Sequence, residues 1–266
     1  MRGYFTPYVL GAALLAFAVV CALFAGGAAL VGEPSLGFLF SAVLSGSVGL
    51  PLRLFGDPAG EPARREALFA VLLMWIVIPL IGAIPYIHSG FFTPLNALFE
   101  SMSGFSSTGA TVLQDFEGLP KSMFLYRAFT QWVGGIGIIV IFIAVFPALA
   151  IAGRQLFFTE VPGPNEERIT PRLRNTATTL MAVYGGLTLA CWLSYGLAGM
   201  SLFDALAHAL TTVSAGGFST NALSFQGTPG GLIDWVAIVF MFLSGVNFTL
   251  QYRVFSGRPG LLRSDP

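Results

Sequence analysis

Long apolar segments alternate with short polar ones along most of this chain of 266 residues. A helix that crosses the hydrocarbon core of a bilayer needs about 20 apolar residues, and six segments approach that length. They cover residues 4–31, 36–52, 67–87, 125–151, 178–197 and 232–250, the second broken by Gly46 and Gly49. The pattern predicts an all-α polytopic membrane protein with six transmembrane helices.

Two further apolar runs are too short to span, and each ends in small polar residues. The first follows Thr93 and Pro94, which suit the N-cap and first turn of a helix, and leads into Ser103-Gly-Phe-Ser-Ser-Thr-Gly-Ala-Thr111. The second follows Ser201 and leads into Thr211-Thr-Val-Ser-Ala-Gly-Gly-Phe-Ser219. A constant offset of 108 residues relates them, as from Gly109 to Gly217. This internal repeat predicts two copies of a span, pore helix, loop, span unit, with re-entrant loops.

The two predicted loops have the composition of an ion pathway. Non-helical backbone at membrane depth is tolerated only where it is buried in protein or lines a water-filled cavity. Small residues allow carbonyl oxygens to point inward and replace the water shell of a cation. Neither loop contains a carboxylate, which argues against Ca²⁺ or Mg²⁺ and favours a weakly hydrated monovalent ion. The candidate ion-binding residues are Ser106, Ser107, Thr108, Gly109, Ser214, Ala215, Gly216 and Gly217.

Composition supports a membrane protein and excludes several other classes. Hydrophobic residues make up 55% of the chain and charged residues 10%, against roughly 25% charged in soluble domains. The formal net charge is zero, so no basic field for nucleic acid exists. Cys21 and Cys191 lie inside apolar runs and suggest neither a disulfide framework nor a metal site. Lipid is the expected surroundings, and no nucleic-acid partner or bound cofactor is expected.

An enzymatic interpretation is weak, so no catalytic residue is predicted. Intramembrane serine proteases use a serine and a histidine, for which Ser103 and His208 are the candidates. Position 101 is serine, so the Gly-x-Ser-Gly form is not met. His208 also aligns with Glu100 in the first repeat, which a catalytic dyad would not explain. We expect Glu100 and His208 to hold the pore helices behind the loops through hydrogen bonds.

Arginine and lysine positions predict the orientation of the spans, because positive charge accumulates in cytoplasmic connections. Eleven arginines fall on one side of the six predicted spans, whereas Lys121 and Arg127 are assigned to the other. Both termini are therefore predicted to be cytoplasmic, and the pore helices to enter from outside. Each would then point its C-terminal end, which carries a partial negative charge, at the membrane centre and favour a cation there.

Six motifs together resemble the Trk/Ktr/HKT family of potassium transporters, and within it the bacterial Trk-type membrane subunits. They are Arg65-Glu-Ala-Leu68, Ser106-Ser-Thr-Gly-Ala-Thr-Val112, Gln131-Trp-Val-Gly-Gly-Ile-Gly137, Gln155-Leu-Phe with Val161-Pro-Gly-Pro164, Ile169-Thr-Pro171, and Thr212-Val-Ser-Ala-Gly-Gly-Phe-Ser219. The resemblance implies K⁺ uptake across the cytoplasmic membrane, with K⁺ at the residues named above and Gly109 and Gly217 as filter glycines. It also implies a cytosolic nucleotide-binding regulatory subunit, which the charged loop 153–174 could contact.

Members of that family carry four repeats around one pore, whereas two occur in this sequence. The expected divisions are a two-helix extension (1–60), a first pore repeat (61–152), a cytoplasmic loop (153–174), a second pore repeat (175–252) and an apparently truncated cytoplasmic linker (253–266). The third and fourth repeats would come from a longer form of the same chain, from a second copy in a homo-oligomer, or from a separate chain. A non-conducting half or scaffold, and a less selective Na⁺/K⁺ pathway, are the alternatives.

Five glycines outside the loops are expected at close helix contacts, where small side chains let backbones approach. They are Gly134, Gly135, Gly137, Gly185 and Gly186. Hydroxyls of Ser103, Thr211 and Thr212 are expected to bond nearby helix carbonyls rather than an ion.

Overall fold

The computed structural model describes residues 5–57, 64–137, 169–227, 231–246 and 251, and within these ranges every regular element is a helix. The prediction of an all-α chain is therefore confirmed for the described residues. In chain order the elements are α1 (Phe5–Leu30), α2 (Leu36–Phe55), α3 (Arg64–Gly82), α4 (Ile84–His88), α5 (Pro94–Phe105), α6 (121–137), α7 (Ile169–Leu197), α8 (Leu202–Val213), a 3₁₀ turn (Ser224–Gly227) and α9 (Gly231–Gly245).

Four described segments are long and apolar enough to cross a membrane: Phe5–Leu30, Leu36–Phe55, Glu66–His88 and Thr179–Leu197. The shorter apolar helices are α8 and α9. The predicted fourth span, 125–151, is helical to residue 137, and its remainder lies outside the described residues. The count of six spans therefore stays a prediction.

Helix α2 is continuous, so the expected interruption at Gly46 and Gly49 is wrong. Gly49 instead lets α1 and α2 cross closely. A Cβ atom added to Gly49 would lie 3.0 Å from the Leu14 Cβ and 3.1 Å from the Gly11 carbonyl oxygen. A Cβ atom added to Gly11 would in turn lie 2.7 Å from the Gly49 carbonyl oxygen. Gly49 is thus a packing position, as is common for small residues between membrane helices, whereas a Cβ atom added to Gly46 would meet only the Ala18 Cβ among the described residues, at 3.9 Å.

The third span is interrupted at Ala83, between α3 and α4, and hydroxyl groups of neighbouring helices donate to its backbone oxygens there. Pro85 has no N–H to donate to the Ile81 carbonyl one turn earlier, and the Ser41 hydroxyl of α2 donates to that oxygen at 3.1 Å. The Tyr126 hydroxyl of α6 donates to the Gly82 carbonyl at 3.0 Å, and the Ser101 hydroxyl of α5 to the Pro79 carbonyl at 2.8 Å. Three neighbouring helices thus hold this part of the span.

Helix α6 lies between the two repeats. On one side, the Tyr126 ring packs against Phe24, Phe38 and Tyr86, with ring centroids 5.3–5.5 Å apart. On the other side, Trp132 packs on Tyr184 of α7 at 5.5 Å. This central position brings α6 to both candidate loops.

Helix α7 begins at Ile169, nine residues before the predicted start of the fifth span. Residues 169–174, expected in the cytoplasmic loop, are therefore helical. Pro171 does not prevent this, because N–H groups in the first turn of a helix have no intrahelical partner to lose. The rest of that loop lies outside the described residues.

Glu33, in the connection between α1 and α2, holds the N-terminus of α6. Its carboxylate oxygens accept the backbone N–H groups of Lys121 at 3.1 Å and Ser122 at 2.8 Å, which have no partner within their own helix. Burial alone would raise the pKa of Glu33, but the hydrogen bonds from Ser122 and Lys121 and the Lys121 charge lower it overall. The charged carboxylate is thus the form that stabilises the fold.

We expect the Glu33→Gln substitution to reduce the free energy of unfolding at pH 7 by about 0.5 kcal/mol, as for other charges at helix ends. Because the folded pKa lies below the unfolded value, the stabilisation is present above about pH 4.3 and is lost as the pH falls through the folded pKa. Unfolding of the purified protein at pH 7 and at pH 3 tests this, with exposed Glu117→Gln as the control. A difference from wild type that is equal at both pH values would contradict this role.

Candidate functional site

Helices α5 and α8 are the two predicted pore helices, and each has 12 residues. The Thr93 hydroxyl accepts the Asn96 N–H at 3.3 Å, and the Ser201 hydroxyl accepts the Asp204 N–H at 3.1 Å. Both predicted N-caps are therefore present. At 1.5 Å per residue each helix is about 18 Å long, well short of the roughly 30 Å hydrocarbon core of a bilayer.

Both pore helices end in the same backbone motif. In the first, the N–H of Thr108 donates to the Ser103 carbonyl at 3.0 Å and that of Ser107 to the Gly104 carbonyl at 2.9 Å. In the second, Gly216 donates to Thr211 and Ala215 to Thr212, at 2.9 and 3.0 Å. These paired bonds define a Schellman motif. Each motif leads into a loop, called loop 1 (106–111) and loop 2 (214–219) below.

The repeat extends to individual backbone angles in the loops. Ser107 has a φ of 52° and Ala215 one of 54°, although neither is glycine. Gly109 and Gly217 follow two residues later with φ values of 77° and 86°. Left-handed backbone at a non-glycine residue costs roughly 1 kcal/mol or more. Two loops that share this strained sequence of angles are unlike ordinary turns.

The two loops touch each other at Gly109. A Cβ atom added there would overlap the Gly216 carbonyl oxygen and lie 3.0 Å from its carbon. Among the described residues, none donates a hydrogen bond to the backbone oxygens of 106–109 or 214–217. Six of these eight residues are partly or fully exposed, so their backbone oxygens are accessible and could coordinate a cation.

One face of α6 supports both loops. A Cβ atom added to Gly134 would overlap the Phe105 carbonyl oxygen at the end of α5. One added to Gly135 would lie 3.1 Å from the Ser214 Cβ and 2.5 Å from the Tyr184 hydroxyl. The predicted packing role of these two glycines is thus confirmed. A Cβ atom added to Gly137 would meet only Trp75 among the described residues, at an ordinary 3.6 Å.

The packing role predicted for Gly185 and Gly186 has no close contact to support it among the described residues, and it stays a prediction. An added Cβ atom at either position would meet nothing within 4 Å among them.

Gln131, one turn before Gly134 and Gly135, binds both loops. Its Oε1 accepts the Phe218 N–H at 3.0 Å, and its carbonyl accepts the Ser107 hydroxyl at 2.8 Å. Its side chain is fully buried, and its Nε2 has no hydrogen-bond partner among the described residues. A Cβ atom added to Gly216 would overlap this amide. Gly216 therefore needs to be glycine for space.

Glu100 forms a buried ion pair with Arg127 of α6, with 2.6 Å between Oε1 and Nη2. The expected hydrogen-bonding role of Glu100 behind the loop is confirmed. Arg127, which the sequence places with Lys121 on the less basic side, is a buried residue of α6 whose side chain is only 1% exposed, and its side of the membrane stays a prediction. The sequence does carry a signal: Arg127, Gln131, Gly134 and Gly135 are spaced as one face of a helix.

His208, the repeat counterpart of Glu100, makes no such ion pair in the described part of the chain. Its ring lies 4.9 Å from that of Phe225 and 6.3 Å from that of Tyr195. The Ser103 hydroxyl donates to the Ala110 carbonyl at 2.6 Å. The two residues considered for a protease dyad are thus engaged elsewhere.

The hydroxyls of Ser103, Thr211 and Thr212 are expected to bond nearby helix carbonyls, and one of the three does so. Thr211 donates to the His208 carbonyl at 3.1 Å, as expected. Ser103 bonds a loop carbonyl rather than a helix carbonyl. Thr212 bonds the Tyr195 hydroxyl of α7 at 2.8 Å.

The class of protein to which these apolar helices and paired loops belong is given by comparison with known proteins. Residues 39–260 match the family model TrkH, cation transport protein. The chain belongs to this family. The expected resemblance is thus confirmed, and membership of a transporter family supports the prediction of a transporter rather than an enzyme.

Individual relatives are Trk potassium uptake proteins. The chain is 41% identical over 202 residues to the Trk system potassium uptake protein TrkH of Escherichia coli K12, and 43% identical over 195 residues to TrkG of the same strain. These alignments cover 75% and 72% of this chain, and 42% and 40% of the relatives. The crystal structure of the potassium transporter TrkH from Vibrio parahaemolyticus matches with a TM-score of 0.84 and 32% identity, over 98% of this chain and 55% of that one. The chain thus spans about two fifths of the length of these curated relatives.

Proposed function

We propose that this chain supplies two adjacent loops of a selectivity filter for K⁺ uptake across the cytoplasmic membrane. The observation that carries the proposal is the contact between loop 1 and loop 2. The two loops share the same strained φ angles, and their backbone oxygens accept no hydrogen bond from the described residues. Carbonyl oxygens at such positions replace the hydration shell of a K⁺ ion. The ion-binding residues are Ser106, Ser107, Thr108, Gly109, Ser214, Ala215, Gly216 and Gly217.

The contact between the loops supports a ring with further members. Gly109 of loop 1 faces the Gly216 carbonyl of loop 2, whereas an added Cβ atom at Gly217, the counterpart of Gly109, meets nothing within 4 Å among the described residues. A head-to-tail contact of this kind forms a ring when the rotation from one loop to the next allows closure. Members of the Trk/Ktr/HKT family carry four repeats around one pore, so two more loops would close the ring. A longer form of this chain, a second copy in a homo-oligomer, or a separate chain would provide them.

The membrane arrangement follows from the same geometry. Helices α5 and α8 are about half a membrane long and end at the loops, so we infer that both are re-entrant and that six helices span. Both termini and the loop 153–174 are then cytoplasmic by the arginine distribution. A cytosolic nucleotide-binding regulatory subunit would meet the protein on that side.

Ion uptake by the protein in its native membrane assembly tests the proposal. In cells that lack other K⁺ uptake systems, we expect saturable Rb⁺ and K⁺ uptake and preference for K⁺ over Na⁺. Cells without the protein give the baseline, and Glu117→Gln, an exposed change outside the loops, should leave uptake unchanged. Uptake at the baseline would favour a non-conducting half or scaffold, and equal uptake of Na⁺ and K⁺ would favour the less selective pathway.

A further inference from the structure

Arg127 connects the two repeats through four hydrogen bonds. Its Nε and Nη2 donate to Glu100 Oε1 at 2.9 and 2.6 Å. Nη2 also donates to the Thr111 hydroxyl of loop 1 at 3.0 Å, and Nη1 donates to the Ser219 carbonyl of loop 2 at 3.3 Å. One guanidinium therefore holds the C-terminal ends of both loops.

Glu100 completes the arrangement on the side of loop 1. Its Oε1 accepts the Thr111 hydroxyl at 2.8 Å, and its Oε2 accepts the Val112 N–H at 3.0 Å. On the side of loop 2, the Arg127 guanidinium lies 4.3 Å from the centre of the Phe218 ring, a cation–π distance. Both charged side chains are at most 1% exposed, so solvent does not weaken these contacts.

The second repeat lacks this ion pair, and the difference is informative. At the constant offset, Glu100 corresponds to His208 and Arg127 to Trp235, which is 66% exposed. Loop 2 nevertheless has the same Schellman motif and the same positive φ angles as loop 1. The pair is therefore not required to form a loop of this shape. The contact that the pair adds is a link between the loops, because Arg127 donates to Thr111 of loop 1 and to Ser219 of loop 2.

We propose that Arg127 is a positioning residue, which with Glu100 fixes the spacing between the two loops and thereby the preference for K⁺ over Na⁺. This role rests on the proposed function. A planar guanidinium can bridge a carboxylate, a hydroxyl and a carbonyl in fixed directions, whereas the ammonium of lysine is a point charge on a flexible chain. Arg127→Lys keeps the buried charge paired but loses the bridge.

Two variants and one matched control test this role by ion uptake in the native membrane assembly, at equal membrane abundance. Thr111→Val removes a hydroxyl bonded to Arg127 and Glu100. The control, Thr188→Val, removes a hydroxyl that accepts a hydrogen bond from the indole of Trp132, another α6 side chain, at 3.0 Å. Thr188 lies outside both loops. We expect Arg127→Lys and Thr111→Val to lower the K⁺/Na⁺ uptake ratio about tenfold, as for the loss of one hydrogen bond to a charged group, and Thr188→Val to leave it unchanged.

An unchanged ratio in Thr111→Val would overturn the positioning role, and so would an equal fall in Thr188→Val, because that would indicate general loosening of α6. If Arg127→Lys fails to reach the membrane, Thr111→Val decides alone. Wild-type protein that takes up no K⁺ would instead refute the proposed function. The two failures are therefore distinguishable.

Discussion

Replacing Gly109 by serine is expected to lower the K⁺/Na⁺ uptake ratio at least tenfold. Two effects combine there. The φ of 77° strains any residue with a Cβ atom, at about 1–2 kcal/mol, and that atom would overlap the Gly216 carbonyl oxygen. A tenfold fall corresponds to about 1.4 kcal/mol of lost preference for K⁺ over Na⁺, and we expect displacement of this coordinating oxygen to be its main cause. Competitive uptake of K⁺ and Na⁺ in membrane vesicles measures it.

Gly217→Ser is the matched control, because its φ of 86° gives the same strain but an added Cβ atom has free space among the described residues. If only strain matters, both variants lose selectivity equally. If the overlap matters, Gly109→Ser loses more. A Gly109→Ser protein that is normally abundant and keeps the wild-type ratio would refute the assignment of loop 1.

Gly134→Ala is expected to destabilise the protein by about 1–3 kcal/mol, the usual cost of overfilling a packed interior. The added methyl group would overlap the Phe105 carbonyl oxygen and lie 2.8 Å from its carbon, so α6 must move away from α5. Thermal unfolding of the purified protein measures the loss, and K⁺ uptake should fall with it because α6 supports loop 1.

Gly137→Ala, one turn further along α6, separates packing from helix propensity. Among the described residues its added methyl group would meet only Trp75, at 3.6 Å, and alanine stabilises a helix by about 1 kcal/mol relative to glycine. We expect unchanged or higher stability. Equal destabilisation by both variants would show that the close approach at Gly134 is not the cause.

Local features of the site could be predicted from the sequence. The N-caps at Thr93 and Ser201 depend on residues within one helical turn, and the offset from Gly109 to Gly217 is visible without any structure. The helical start at Ile169 was missed, because a charged segment with Pro171 has the composition of a loop.

Features that depend on distant partners could not be predicted. Arg127 has the residue type of a solvated connection, and its burial is favourable because of distant partners, above all the Glu100 carboxylate 27 residues away. The glycines of α6 and α7 have similar local sequences, yet Gly135 faces Ser214 while Gly185 faces open space among the described residues. The close contact between Gly11 and Gly49 likewise depends on how α1 and α2 pack together, which the local sequence of either helix does not show.

The most direct test of the account is the anomalous scattering of Rb⁺ in crystals of the native membrane assembly. We predict an Rb⁺ ion in direct contact with backbone oxygens of both loops, next to the contact between Gly109 and Gly216. Ordered Rb⁺ elsewhere, with these oxygens bonded to other protein groups, would contradict the proposal that loops 1 and 2 form the filter.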